Sequence, residues 1–137
     1  MVDDLLELER QVLQKLLSGE HPIIGELRAQ LAGLRVADRE LTGAGFMTSF
    51  TVNRSLKPKT LQGVSFKFGD VVADIQGLEQ GAGFLLYVKD GCIDALEGYT
   101  FDEPWPNTTG QFRLSYVSED RRELSELDQY TASNHLV

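Results

Sequence analysis

Phe84-Leu85-Leu86-Tyr87-Val88-Lys89-Asp90-Gly91-Cys92-Ile93-Asp94-Ala95-Leu96-Glu97 is the stretch on which the fold turns. Apolar runs flank Asp90-Gly91, the strongest turn signal in the chain, because both central residues of a type I′ turn need positive φ. The stretch therefore reads as an antiparallel hairpin. A regular ladder from that turn pairs Val88 with Ile93, Leu86 with Ala95 and Phe84 with Glu97. On the other face it pairs Tyr87 with Asp94 and Leu85 with Leu96. In that register Glu97 sits among Phe84, Val88 and Ile93, where desolvation raises a carboxyl pKa toward the range of a general acid. The favoured alternative is that the hairpin bulges at Gly83 or Gly98 and Glu97 reaches water.

Working outward, the same period of two recurs. Leu34 and Val36 begin a strand, and Phe46, Phe50 and Val52 share one face of the next, after a turn or bulge at Gly43 and Gly45. Val64, Phe66 and Phe68 alternate with Ser65 and Lys67, and Gly69-Asp70 looks like a two-residue hairpin turn into Val71, Ala73 and Ile75. Phe112, Leu114 and Tyr116 form a last strand. Between Val52 and Val64, Arg54 to Gly63 reads as a polar loop.

The first third has helical spacing instead. Leu5, Leu8, Val12 and Leu16 line one side of a helix over 4–18, widened by Leu6, Leu13 and Leu17 to about half the circumference, a face suited to packing on a sheet. Asp4 is its expected cap, with Glu7 reaching back to the cap amide, and Gly19 its stop. His21-Pro22 opens a second helix carrying Ile24, Leu27 and Leu31 and ending at Gly33. Ser118 is placed to cap a short C-terminal helix with Leu124 and Leu127.

Helices followed by strands with short connections predict an α+β fold. Two N-terminal helices pack on one face of a mostly antiparallel, meander-like sheet, with a short C-terminal helix or tail. Residues 1–130 read as one domain and 131–137 as a disordered tail. The chain's 137 residues fit a single domain of ordinary size.

The net charge is −8. Up to residue 69 there are nine bases and eight acids; from 70 on there are four bases and thirteen acids. This balance disfavours nucleic acid and anionic membranes as partners and favours a basic protein. The longest apolar run, Phe84 to Val88, is too short for a membrane span. The single cysteine, Cys92, makes no internal disulfide, and the acidic start differs from a signal peptide, so a cytoplasmic location is the expectation.

Catalytic groups are scarce. His21 reads as a helix-start residue, His135 lies in the tail, and no Cys/His cluster or calcium loop has metal spacing, so no cofactor or metal is expected. Arg121-Arg122 beside Glu119, Asp120 and Glu123 reads as helix-surface pairing. The most unusual segment runs from Leu96 to Pro106 and holds the only tryptophan, Trp105, between two prolines that stiffen it. Its candidate binding residues are Glu97, Tyr99, Phe101, Asp102, Glu103 and Trp105. In the plainer reading, Trp105 and Phe101 cap an open edge of the core while the acids face water.

Gly81–Gly91 (GAGFLLYVKDG) followed by Leu96–Pro106 (LEGYTFDEPWP) resembles a pattern in an uncharacterised family of small bacterial proteins, over a stretch from the N-terminal helix to about Tyr116. The resemblance implies a bacterial source and a single α+β domain, and it carries over no catalytic residue. The expectation is a non-enzymatic interaction module, of the kind an inhibitor or immunity protein represents, offering its acidic second half to a basic partner. One alternative is a small-molecule-binding protein or carboxylate-dependent enzyme using Glu97, Asp102 or Glu103. Another is a nucleic-acid-associated protein using the basic 27–67 region. An uncovered sheet face bearing aromatics would suggest a homodimer.

Overall fold

The computed structural model describes residues 5–53, 61–106, 109–118, 122 and 124–130. Helices α1 (Glu7–Leu16) and α2 (Pro22–Ala29) lead through a 3-10 turn (Gln30–Gly33) into seven strands. These are β1 (Arg35–Leu41), β2 (Gly45–Thr51), β3 (Phe66–Phe68), β4 (Val71–Ile75), β5 (Ala82–Lys89), β6 (Cys92–Thr100) and β7 (Phe112–Tyr116). A second 3-10 helix, Ser125–Tyr130, follows. The fold is α+β, with an open, antiparallel, meander-like sheet ordered β1-β2-β6-β5-β4-β7 and β3 also paired to β5. Asp4, most of the 54–63 loop, Arg121 with its acidic neighbours, and the 131–137 tail with His135 lie outside the described residues. No helix among the described residues is long and apolar enough to cross a membrane.

The helices cover one sheet face. Leu8, Val12, Leu13, Leu16, Ile24 and Leu27 meet Phe46, Phe84, Leu86, Val88 and Leu96 in one buried cluster. Helix α1 begins at Glu7, not Asp4, and the side chain reaching back is Glu9, whose carboxylate accepts the Leu6 N–H at 2.9 Å. Gly19 stands at φ +106° after α1, as a helix stop requires. His21 starts α2, its Nδ1 accepting the Ile23 N–H at 3.1 Å while Nε2 lies 2.8 Å from Asp128.

Two expectations about the sheet are corrected. Gly69-Asp70 is not a hairpin turn. β3 and β4 both run antiparallel to β5 along the same edge, Phe68 opposite Leu86 and Val72 opposite Gly83. Four steps on one side match three on the other, so a bulge breaks one long strand in two. A Cβ at Gly69 would stand 2.0 Å from the Phe84 carbonyl oxygen, which explains the glycine at the break.

The second correction concerns the β5–β6 hairpin. Its turn is as expected, with Asp90 and Gly91 at φ 51° and 78° and Val88 opposite Ile93. One step further the register shifts, so that Tyr87 faces Ala95 and Asp94 is the extra residue. Every later pair moves by one: Leu86 faces Leu96, Leu85 faces Glu97 and Phe84 faces Gly98. Because side chains alternate with a period of two, that slip takes Glu97 out of the core and puts it on the helix-free face, as the bulge reading expects, although the bulge sits at Asp94 and not at Gly83 or Gly98. Buried Gln30 lies beside the irregular hairpin end, donating to the Gly91 carbonyl and accepting the Ile93 N–H, both at 2.8 Å.

Arg122 is also placed differently from the helix-surface pairing expected of it. Its guanidinium pairs with Asp70 (Nε to Oδ2, 2.6 Å), donates to the Leu16 and Ser18 carbonyls at the end of α1, and lies 4.6 Å over the Tyr116 ring. With Arg28 donating to the Leu17 and Gly19 carbonyls, two cations complete the helix C-terminus.

Candidate functional site

Six candidate residues came from one stretch of chain, and the fold divides them between two surfaces. On the helix-free face, Glu97 stands on β6 between Leu85 of β5 and Met47 of β2. The Tyr87 hydroxyl donates to Glu97 Oε1 at 2.7 Å. That hydrogen bond, with burial and the adjacent negative charge, raises the Tyr87 pKa above its ordinary 10.0. Two positions along β6, the Tyr99 ring covers Gly83, where a Cβ would come within 2.6 Å of the ring. Phe101 meets Tyr99 edge-on at 5.6 Å and is 41% exposed. No described element packs on this face, whose central positions are Met47, Leu85, Tyr87, Glu97, Tyr99 and Val72.

Asp102 and Glu103 lie on the chain that leaves β6. Thr100 donates its N–H to the Ala44 carbonyl at 2.8 Å, and its hydroxyl reaches the Ala44 and Glu103 carbonyls. Asp102 is exposed at φ 63°, a left-handed position that Asp tolerates better than most residues. Glu103 accepts the Glu79 N–H and, at 2.9 Å, the Gln80 N–H, which hold its carboxyl pKa below the usual range. Its role is to tie the β4–β5 connection to the 101–106 segment.

Trp105 belongs to the other surface. Its N–H donates to the Gly43 carbonyl at 2.8 Å, and its ring meets Phe46 edge-on at 5.1 Å, so it extends the core. It forms one wall of a cleft of about 640 Å³ beside Leu6, ahead of α1, and Arg39 and Leu41 of β1. Leu6 and Leu41, 51% and 73% exposed, flank it. None of Glu97, Asp102 and Glu103 lines that cleft, so a carboxylate working beside Trp105 has no geometric support.

Sequence reasoning missed Glu9. It is 1% exposed and accepts from Arg39 Nε and Nη2 at 2.8 and 2.7 Å, the Thr48 hydroxyl at 2.5 Å and the Leu6 N–H. The signal was present: Glu9 follows Leu5 by four and precedes Val12 by three, a carboxylate inside the apolar stripe. A charge there requires a buried partner.

His21 is the one histidine among the described residues, and both its ring nitrogens are engaged. No group of three metal-ligating side chains occurs among the described residues.

The Tyr87–Glu97 bond has a titration signature. Glu97→Gln removes the charge, so the Tyr87 pKa falls back toward 10, read by NMR of the phenol ring carbon in alkali. A phenol pKa raised by folding contributes stability below the unfolded value near 10, lost as pH rises through the folded value. An unchanged Tyr87 titration in the variant would show that the bond is absent in solution.

No protein-family model, curated protein or solved structure matches the chain.

Proposed function

We propose that the chain is a non-enzymatic protein-binding module that docks a basic partner on the helix-free sheet face. The observation that carries this reading is the edge-to-face pair of half-buried Tyr99 and exposed Phe101 beside Glu97 on a face no described element covers. Aromatic anchors in an apolar centre with charges at the rim are the usual make-up of a binding hot spot. Glu40 occupies the same cross-strand row as Met47 and Glu97, Asp74 follows Val72 on β4, and exposed Asp102 follows Phe101. Of the bases on this face, Arg35 and Lys89 stand at the far end of their strands, Lys67 opposite Tyr87, and Arg113 beside Asp74.

The acidic second half is not itself the surface. Strands β1 and β2 of the first half lie beside β6, so the two halves interleave. Several acids of the second half are spent within the fold: Asp70 on Arg122, Asp90 on the Gly63 N–H, Glu103 on two backbone amides. The local acidic rim around Tyr99 and Phe101 replaces the half-chain as the electrostatic feature. An inhibitor or immunity protein would use such a surface.

Selection from a displayed random-peptide library tests the reading. Recovered peptides are expected to combine an apolar residue with Lys or Arg, to bind more weakly as salt rises, and to lose at least tenfold in affinity on Tyr99→Ala or Phe101→Ala. Recovery of no binders, or of peptides indifferent to both variants, would refute it.

The Trp105 cleft favours a second reading, a site for an apolar small molecule, because its volume falls in the usual ligand-pocket range of about 300–1,000 Å³. Trp105 is the only tryptophan, so its emission reports on the cleft directly. An apolar ligand quenching that emission in the wild type but not in Leu41→Asp would support this reading. Identical quenching in both would dismiss it.

A further inference from the structure

We infer that Glu97, with the rings of Tyr87 and Tyr99, is a seat for an arginine side chain of the partner; this rests on the docking surface proposed above. Glu97 is half-buried, its Oε1 takes the Tyr87 hydroxyl, and Oε2 carries no hydrogen bond among the described residues. Leu85 and Met47 stand on either side of it as cross-strand neighbours. Tyr87 is diagonal to it on β5, and Tyr99 is two positions along β6. A carboxylate between apolar flanks and two phenol rings matches a guanidinium on a long alkyl stem. The stem covers Leu85 and Met47, the plane lies on a ring, and the N–H groups meet the carboxylate.

The protein already uses this chemistry once. Arg122 lies 4.6 Å over the Tyr116 ring while its Nε pairs with the Asp70 carboxylate at 2.6 Å. On the helix-free face the phenol and carboxylate recur without an arginine of the described chain joining them. The Tyr87 ring also attracts a cation here, since Lys67 Nζ sits 5.8 Å from its centroid. That is near the outer limit of about 6 Å for such contacts, so an incoming guanidinium displaces it at little cost. Arginine is favoured over lysine because a planar fork can stack on a ring and donate to Oε2 together, whereas an ammonium acts as a point charge.

The probes are the library-recovered peptides and their counterparts with each arginine replaced by citrulline, which keeps the shape and removes the charge. One arginine is expected to lose about tenfold or more in affinity on replacement, as for one charge-assisted hydrogen bond. Glu97→Gln should remove the distinction between the pair, and Glu97→Lys should recover peptides with Asp or Glu at that place. If peptides bind through Tyr99 and Phe101 but are indifferent to citrulline and to Glu97→Gln, the arginine seat is wrong and the docking surface stands. If no peptide is recovered, the docking surface fails and the seat with it. An unchanged spectrum of the buried core in Glu97→Gln verifies that the variant is folded.

Discussion

Glu9→Ala is expected to lower the folding stability by about 3–5 kcal/mol, the cost of leaving a buried charge network without its anion. The carboxylate is 1% exposed and takes four hydrogen bonds, from Arg39 twice, Thr48 and Leu6. Without it the Arg39 guanidinium, 28% exposed, loses its buried partner, and the Thr48 hydroxyl and Leu6 amide lose their acceptor. These groups join the start of α1 to β1 and β2, so the loss falls where the helix layer meets the sheet edge. Against a total of about 5–15 kcal/mol for a typical domain, the variant should unfold at a much lower urea concentration. Glu9→Leu combined with Arg39→Met should recover much of the loss, because a buried ion pair is often matched by apolar residues of similar volume. A midpoint in Glu9→Ala equal to the wild type's would mean that the cluster is solvated.

Phe84→Ala is expected to cost a similar amount, about 3–5 kcal/mol, for a different reason. Phe84 is 1% exposed and lies opposite Gly98 on the helix-covered face. The missing side chain there leaves room for Phe46, whose ring would lie 2.2 Å from a Cβ at Gly98. Phe46 stands 6.4 Å from Phe84 and carries Trp105 at 5.1 Å. Removing the Phe84 ring opens a cavity that sheet hydrogen bonds keep from collapsing. Trp105 emission should shift to the red as Phe46 settles into the space. A destabilisation below about 1 kcal/mol would show the site to be loosely packed.

The fold was legible where one period dominated. Leu8, Val12 and Leu16 at helical spacing, Phe46 and Phe50 at strand spacing, and Asp90-Gly91 between apolar runs all led to the observed elements. Reading failed where a single residue changes the register. A bulge that frees Glu97 is legible in the glycines of the hairpin, but Gly83 and Gly98 pair regularly; Asp94, which carries no local mark because a polar residue after Ile93 suits a regular ladder equally well, is the residue that moves Glu97 from the core to the open face. Gly69-Asp70 misled for the opposite reason. A dipeptide that suits a hairpin turn also suits a bulge, and only the partner strand distinguishes them.

The candidate site was legible as chemistry but not as a place. Tyr99 and Phe101 do meet at the end of β6, while Trp105 crosses to the helix side through its bond to Gly43. Glu103 was singled out as a binding acid, and its two oxygens are occupied by the Glu79 and Gln80 amides. Arg39 and Gln30 escaped notice because their partners, Glu9 and the irregular hairpin end, are 30 and some 60 residues away.

The central claim is that the shift at Asp94 turns Glu97 outward, between Leu85 and Met47. Interstrand nuclear Overhauser effects measured on the isotope-labelled protein test it most directly. The structure predicts backbone contacts between Glu97 and both Leu85 and Met47, and between Gly98 and both Phe84 and Phe46. Backbone contacts placing Glu97 opposite Phe84 and Leu96 opposite Leu85 would contradict it, returning the carboxylate to the core and leaving the open face without its centre.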